Sequence, residues 1–422
     1  MEGLPTDFRD WAHLPPLIVH LISEKVKSIT DYVRFRAVCS PWRFDSFPKP
    51  RLPPQLPWLM LPYSPQQNSE DDDGTRLFYD LWESKMRKLH LPETIGMMCC
   101  ASECGWLLLV ATGGTELFLL NPITRACIQL PPFTTPVKRL SDFFMIPPEI
   151  IREAWDIFPS YNVRDYFEPI GGNFAISRVT FSTDLTDPAC LITVFIPRYQ
   201  GIFCCRVDSS CWTEVHDRHY SSSEFADLTY YNGQFYILHK EIMLVIDPSK
   251  ASCRTGIICF FEQEIWPVSK FLVQGKYGVY VVFVHNIEEE DEAEEVRGQK
   301  YENVPKVGTE KMLKQKFELY QFSEQSPRLL RMITNTSNTA IFFGDNNQCL
   351  SVCTDDWDSL EGGSVYRCAP PSIRDMHGSG WHYNIYSAKM DDGKFELVPS
   401  DFAKEASIGR SGPAIWFQPN FF

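Results

Sequence analysis

Long apolar runs are missing from this 422-residue chain. The stretch Gly105-Trp106-Leu107-Leu108-Leu109-Val110-Ala111 is strand-sized and stops at Gly113-Gly114, well short of the roughly 20 residues a membrane helix needs. No membrane partner is expected. Met1–Asp7 has neither a basic n-region nor an apolar h-region, so secretory export is not expected either. Positive charge is also short. Forty Lys+Arg against 54 Asp+Glu leave a net charge of −14, which repels phosphate backbones and anionic surfaces. No nucleic-acid partner is expected.

Chemical signatures are equally sparse. The phosphate-cradling G-x-x-x-x-G-K-[ST] and G-x-G-x-x-G loops, the G-x-S-x-G elbow and the H-E-x-x-H zinc motif are all absent. No two of the 14 cysteines have C-x₂-C spacing, so no zinc knuckle is assigned. His216-x-x-His219 with Asp217 reads as a solvated turn at a strand end. Asp184, Asp187, Asp227, Asp355 and Asp356 are candidates for a carboxylate cluster in a central channel, with surface positions as the default. The expectation is a chain that is not an enzyme, with no catalytic residue, no cofactor and no metal. Thiols in such number, without a disulfide pattern, suit small hydrophobes in a reducing compartment, the cytoplasm and/or the nucleus.

Aromatics are plentiful at 14%, with 30 Phe, and proline outnumbers glycine 31 to 23. That balance favours many short strands joined by Pro-punctuated turns. The first fifty residues are the exception, with seven Lys/Arg nearly cancelled by six Asp/Glu. Leu14, Leu17, Ile18, Leu21, Ile22 and Val26 draw one apolar stripe along a helix whose first turn accepts Pro15 and Pro16. A second helix is expected to start near Ser28 or Thr30, with Ser28 and Asp31 spaced as a capping box. Its apolar face carries Phe35, Val38 and Trp42, and Ser40-Pro41 opens a new turn under Trp42. About forty residues cannot bury a full core alone. The head is therefore either a helical cap on the larger domain or a docking module for a second protein.

From residue 57 onward one shape recurs, a strand, a polar turn and a second strand. The six copies are Phe78 to Pro92, Phe118 to Pro131, Cys204 to Val215, Leu244 to Ile257, Leu319 to Leu330 and Ile385 to Pro399. Asn121-Pro122, Asp247-Pro248 and Asp392-Gly393 supply the turn chemistry. Most copies follow further strands: Trp106–Ala111; Val179–Ser182 with Ile192–Ile196; Leu228–Tyr231 with Gln234–His239; Phe271–Gln274 with Val279–Val284; and Ala340–Phe343 with Gln348–Val352. Four strands per forty-residue unit predict a six-bladed β-propeller. The first blade lacks one strand, and Ile415-Trp416-Phe417 is expected to complete it against Trp58–Leu61, leaving no open edge. A pair of β-sandwiches is the competing fold. Pro132–Gly172 interrupts the pattern, with a short helix expected at Glu149–Trp155. Two acidic runs, Glu70–Asp73 and Glu288–Glu295, read as solvated loops, the second between two strands of the fifth blade, with an electrostatic lure for a basic partner as the sharper reading.

Two resemblances follow from particular residues. Trp11-Ala12-His13-Leu14-Pro15-Pro16-Leu17-Ile18, Ile22, Asp31 and Val38-Cys39-Ser40-Pro41-Trp42-Arg43 resemble an F-box, with departures at Val26-Lys27-Ser28. The resemblance implies an F-box helical domain over 9–48 that binds a Skp-type adaptor, and through it a cullin–RING ligase, using Leu14, Pro15, Leu17, Ile18, Ile22, Phe35, Val38, Cys39 and Trp42. Leu56-Pro57-Trp58-Leu59, Cys104-Gly105-Trp106-Leu107, Leu120-Asn121-Pro122, Tyr231-Asn232-Gly233-Gln234, Phe342-Phe343-Gly344-Asp345 and Ile415-Trp416-Phe417-Gln418-Pro419 resemble a large plant F-box family. Its C-terminal region is of the KIB type, domain of unknown function 295, and would span 56–422 here. Val365-Tyr366-Arg367-Cys368-Ala369-Pro370 departs from the family's usual run. The implied function is a substrate receptor of a Skp–cullin–F-box ubiquitin ligase, holding a target protein for ubiquitination and promoting degradation by proximity. The alternatives are a propeller enzyme or small-ligand binder with a helical cap, and a scaffold without ligase coupling.

Overall fold

The structure, a computed structural model, describes residues 11–23, 25–26, 28–43, 55–63, 72–111, 116–132, 138–139, 176, 178–196, 201–214, 225–239, 242–247, 252–257, 269–275, 278–287, 314–322, 330–333, 338–344, 348–357, 360–369, 384–398 and 414–420. The sequence-predicted helix at Glu149–Trp155, the acidic block Glu288–Glu295 and the His216/His219 pair lie outside these residues.

The head is helical where the apolar spacing places helices, but its first helix is shorter than the expected stripe. It leaves Leu14, Pro15 and Val26 outside and buries Val19 rather than Leu17, Ile18 or Leu21. A short 3-10 turn, Trp11–His13, leads into α1 (Pro16–Ser23), then α2 (Ile29–Ala37) and α3 (Ser40–Arg43). The expected capping box does not form. Ser28 does sit at the N-cap with extended backbone, but its hydroxyl makes no cap bond. It reaches Glu83 Oε1 instead, at 3.3 Å, and Asp31 pairs forward with Arg34 at 3.1 Å. The side chains that would have closed the box serve tertiary and neighbouring partners.

The body is six sheets. The first blade uses β1 (Trp58–Met60), β2 (Thr75–Asp80) and β3 (Lys85–His90). The second is β4 (Met97–Glu103), β5 (Trp106–Ala111), β6 (Leu117–Leu120) and β7 (Cys127–Leu130). A short β8 (Lys138–Arg139) adds in parallel to the outside of the third, made of β9 (Arg178–Phe181), β10 (Leu191–Ile196), β11 (Gly201–Arg206) and β12 (Thr213–Glu214). The fourth is β13 (Phe225–Tyr231), β14 (Gln234–His239), β15 (Ile242–Asp247) and β16 (Ser252–Ile257). The fifth is β17 (Ser269–Gly275), β18 (Gly278–Ile287), β19 (Lys314–Phe322) and β20 (Leu330–Met332). The sixth has β21 (Thr339–Phe343), β22 (Cys349–Cys353), β23 (Ser364–Ala369), β24 (Asn384–Lys389) and β25 (Glu396–Leu397).

Closure follows the expected register. The last strand, β26 (Ile415–Phe417), pairs antiparallel with β1, Trp58 opposite Phe417, Leu59 opposite Trp416 and Met60 opposite Ile415. Two chain ends thus share one blade, and the ring has no free edge there. Strand alternation divides the work of β26. Ile415 and Phe417 face Trp58, Met60, Phe78, Leu107 and Leu109 on one side. Trp416 faces Leu59, Tyr79, Phe342 and Ile385 on the other. Each of these clusters fills the seam between neighbouring blades.

The structure departs from the sequence reading in two blades. In the second, the inner strand is β4, which the hairpin pattern passed over because Met97–Glu103 carries a bulge between Cys99 and Ala101 that breaks its alternation. In the sixth, the order is β22-β21-β23-β24-β25, with β21 and β23 parallel. The β21–β22 hairpin turns back so that its second strand lies innermost. Gly105, in the β4–β5 turn at φ +84°, is required twice over, because a Cβ there would lie 2.4 Å from Asn420.

Candidate functional site

The head is seated on the first blade, chiefly by α2. Ile29 is buried with Trp58, Met60 and Phe78, and its N–H donates to Gln55 Oε1 at 3.1 Å. Gln55 is itself held, since Gln418 Nε2 donates to its carbonyl at 3.0 Å. Arg87 of β3 is the polar node of this contact. It donates twice to Asp80 Oδ2, at 2.9 and 2.7 Å, and once to Thr30 Oγ1 of α2 at 3.1 Å. Its guanidinium also lies 4.6 Å from the Trp58 ring centroid and 2.8 Å from Glu83. Planar stacking combined with forked hydrogen bonding is what arginine does and lysine does not. The anchor fixes where the rest of the head points.

Within the head, Phe35 is buried and packs against Trp42, ring centroids 4.7 Å apart and planes tilted by 37°. Trp42 Nε1 donates to the Trp11 carbonyl at 2.9 Å, tying α3 to the entry turn. On the outside an apolar surface stays uncovered. Leu17 is 64% exposed, Ile18 41% and Val38 57%, and Pro15 is exposed beside them. Leu14, Ile22, Cys39 and Trp42 are half-buried. Of the nine residues selected by the F-box pattern, only Phe35 lies inside, where it supports Trp42 rather than presenting a contact. Three further exposed apolar side chains were not selected, Trp11, Leu21 and Val33. Leu21 lies one turn from Leu17 on α1, so the helical period alone points to it. Val26, where the F-box pattern departs, is half-buried.

The channel is the other feature of note. The inner strands β4, β9, β13, β17 and β22 line a cavity of about 320 Å³. The sequence-selected carboxylates do not converge on it. Asp184 and Asp187 belong to the β9–β10 turn and Asp355 is exposed after β22. Of the four whose side chains are described, Asp227 reaches the interior, where the Arg178 guanidinium grips both its oxygens and the Leu228 and Leu272 N–H groups donate to them at 2.8 and 2.7 Å. Arg178 also donates to the carbonyls of Cys349 at 3.2 Å and Leu272 at 3.5 Å, spanning four blades. Burial opposes its charge, but the Asp227 carboxylate outweighs that and holds Arg178 above its ordinary pKa. This pair ties the ring together across its centre. Glu103, which sequence reasoning missed, lies beside it, and burial pushes its carboxyl up to about 7 against the pull of Arg178.

Nor is the first acidic run all solvated. Asp72 takes two bonds from Arg76, at 2.7 and 2.9 Å, and Asp73 caps Thr75 N–H at 2.8 Å. The hydrogen bonds from Arg76 hold the Asp72 carboxyl below its ordinary pKa. Among the described residues no group of three or more His, Cys, Asp or Glu is placed to hold a metal ion.

The KIB1-4 beta-propeller family profile matches residues 78–390. Similar curated proteins are F-box proteins of Arabidopsis thaliana. The F-box protein At3g56470 is 30% identical over 127 residues, 29% of this chain and 31% of that protein. The F-box protein At2g26160 is 23% identical over 237 residues, 54% and 60% respectively. The F-box protein SKIP23 is 23% identical over 372 residues, 85% and 83%. The chain thus matches less than two thirds of the length of the first two.

Proposed function

The chain belongs to the KIB1-4 beta-propeller family, and from that membership we propose that it is the substrate-recognition subunit of a Skp–cullin–F-box ubiquitin ligase. Its α1–α3 head takes the Skp-type adaptor and its ring presents a target protein. No catalytic step is assigned to the chain; its contribution is to raise the local concentration of a target lysine near a charged ubiquitin carrier. The observation that carries the reading is the uncovered apolar surface of Leu17, Ile18 and Val38 on a head anchored to the first blade through α2. A small helical unit leaves such side chains in water when a partner covers them. The Arg87 anchor supports the same reading, because a receptor works by holding adaptor and target at a fixed separation. We also place the protein in the cytoplasm or the nucleus, a reading supported by the twelve described cysteines, all free thiols.

The test is capture of a purified Skp-type adaptor by the full chain and by Leu17→Asp/Ile18→Asp. Both residues are exposed, so the double variant should melt with the parent. Burying a Leu or Ile side chain against a partner is worth about 1.5–3 kcal/mol, so losing both should weaken capture by more than roughly tenfold. Undiminished capture by a folded double variant would refute the assignment.

A further inference from the structure

A second cavity, of about 280 Å³, lies where the head meets the ring. Its walls come from the start of α2, the approach to β1, the β2–β3 turn and Trp357 beyond β22. The polar groups among its described lining residues already have partners. Asp80 accepts from the Trp82 and Glu83 N–H groups on one oxygen and from Arg87 on the other. Glu83 accepts from Arg87 and from the Ser28 hydroxyl, and Gln55 from the Ile29 N–H. One guanidinium against two carboxylates leaves these residues with one net negative charge, which disfavours an anion. What the cavity offers a guest is its apolar wall, Ile29, Leu56 and the tryptophans. The Trp58 ring is already under Arg87, which leaves Trp82 and Trp357. Trp82 is 41% exposed, yet it is held in place. Its N–H donates to Asp80 Oδ1 at 3.1 Å, and its ring packs edge-on to Trp357, centroids 6.0 Å apart and planes at 62°. An indole fixed by its neighbours but left partly in water gains from being covered and loses little freedom in the process. The volume equals roughly nine water molecules at about 30 Å³ each, room for a small ring system.

We propose that this joint binds a small, uncharged, planar aromatic molecule, packed against Trp82 and Trp357 between the head and the ring. Aromatic rings gain from edge-to-face and offset contact with an indole beyond the area they bury, so an aromatic guest is preferred to an aliphatic one of similar size. The walls belong to α2, to the first blade and to the sixth, so a bound molecule braces the head against the ring. None of the residues assigned to adaptor capture lines the cavity, and the two readings therefore fail independently.

The experiment titrates indole into the full chain by calorimetry, with cyclohexanol and benzoate as comparators. Saturable indole binding is expected, with weaker or no binding of the other two. Trp82→Ala changes a side chain that is partly exposed, so the variant should fold, and it should weaken indole binding by roughly threefold or more through the lost aromatic contact. Ser28→Leu places a larger side chain at the cavity wall, at an N-cap whose hydroxyl makes no cap bond, and should block the site. Absence of saturable indole binding, cyclohexanol or benzoate binding as tightly as indole, or unchanged binding by folded Trp82→Ala would each overturn the proposal. If Trp82→Ala does not fold, Ser28→Leu decides: loss of indole binding supports the proposal, and binding equal to the parent's overturns it.

Discussion

Replacing Trp416 with alanine should come close to unfolding the ring. The side chain is fully buried in the seam between the first and sixth blades, with its ring 5.0 Å from Phe342. Its Nε1 donates to the Phe343 carbonyl at 2.9 Å, across that seam. Truncating a buried tryptophan to alanine costs about 3–5 kcal/mol in lost transfer energy and cavity. The orphaned Phe343 carbonyl adds about 1–3 kcal/mol. The combined loss rivals the whole stability of an ordinary domain, about 5–15 kcal/mol. Trp416→Phe keeps most of the packing and loses the donor, so its cost should be nearer the hydrogen-bond figure alone. Leu397→Ala, at a residue 57% exposed, serves as the control and should move stability by no more than about 0.5 kcal/mol. Urea unfolding of the three variants and the parent, followed by near-ultraviolet circular dichroism, gives the comparison. The expected order of midpoints is parent and Leu397→Ala together, Trp416→Phe below them, Trp416→Ala lowest or insoluble. If Trp416→Ala unfolds at the parent's midpoint, the seam is not the closure and the reasoning from β26 fails.

Arg178→Met leaves the Asp227 carboxylate buried without its cation and should cost about 3–5 kcal/mol, whereas Arg178→Met/Asp227→Leu should recover much of that; thermal melting checks it, and a double variant no more stable than the single would contradict it. Stability should also depend on pH through Glu103, whose carboxyl is raised from the ordinary 4.5 to about 7. Between those values the folded chain holds a proton that the unfolded chain has released, so stability falls as pH rises through this window and levels off above 7. The fall is at most about 3 kcal/mol, and less in practice because Glu103 keeps some contact with water. Glu103→Gln should flatten that part of the melting profile, and superimposable profiles for variant and parent would refute the shift.

The strand content, the six hairpins, the closing role of Ile415-Trp416-Phe417 and the α1 stripe were legible because each rests on short-range pattern. Alternation, helical period and turn chemistry are written within a few residues of one another. The exposed Leu17, Ile18 and Val38 follow from the same logic, since a short amphipathic head shows its unused apolar face in the pattern itself. Tertiary structure decided the rest. Phe35 and Val38 have the same apolar character in sequence, yet one supports Trp42 inside the head and the other faces solvent, because the direction from which α3 packs is not encoded in the period of α2. The bulge in β4 hid an inner strand, and the inward turn of β22 made a parallel pair that no local signal announces. Glu103, Arg178 and Asp227 lie up to 124 residues apart (227 − 103) and meet only because consecutive blades bring their inner strands to one axis. Convergence of that kind is a property of ring closure: a strand's sequence sets which side chains share a face, while the packing of the neighbouring blades determines what that face meets.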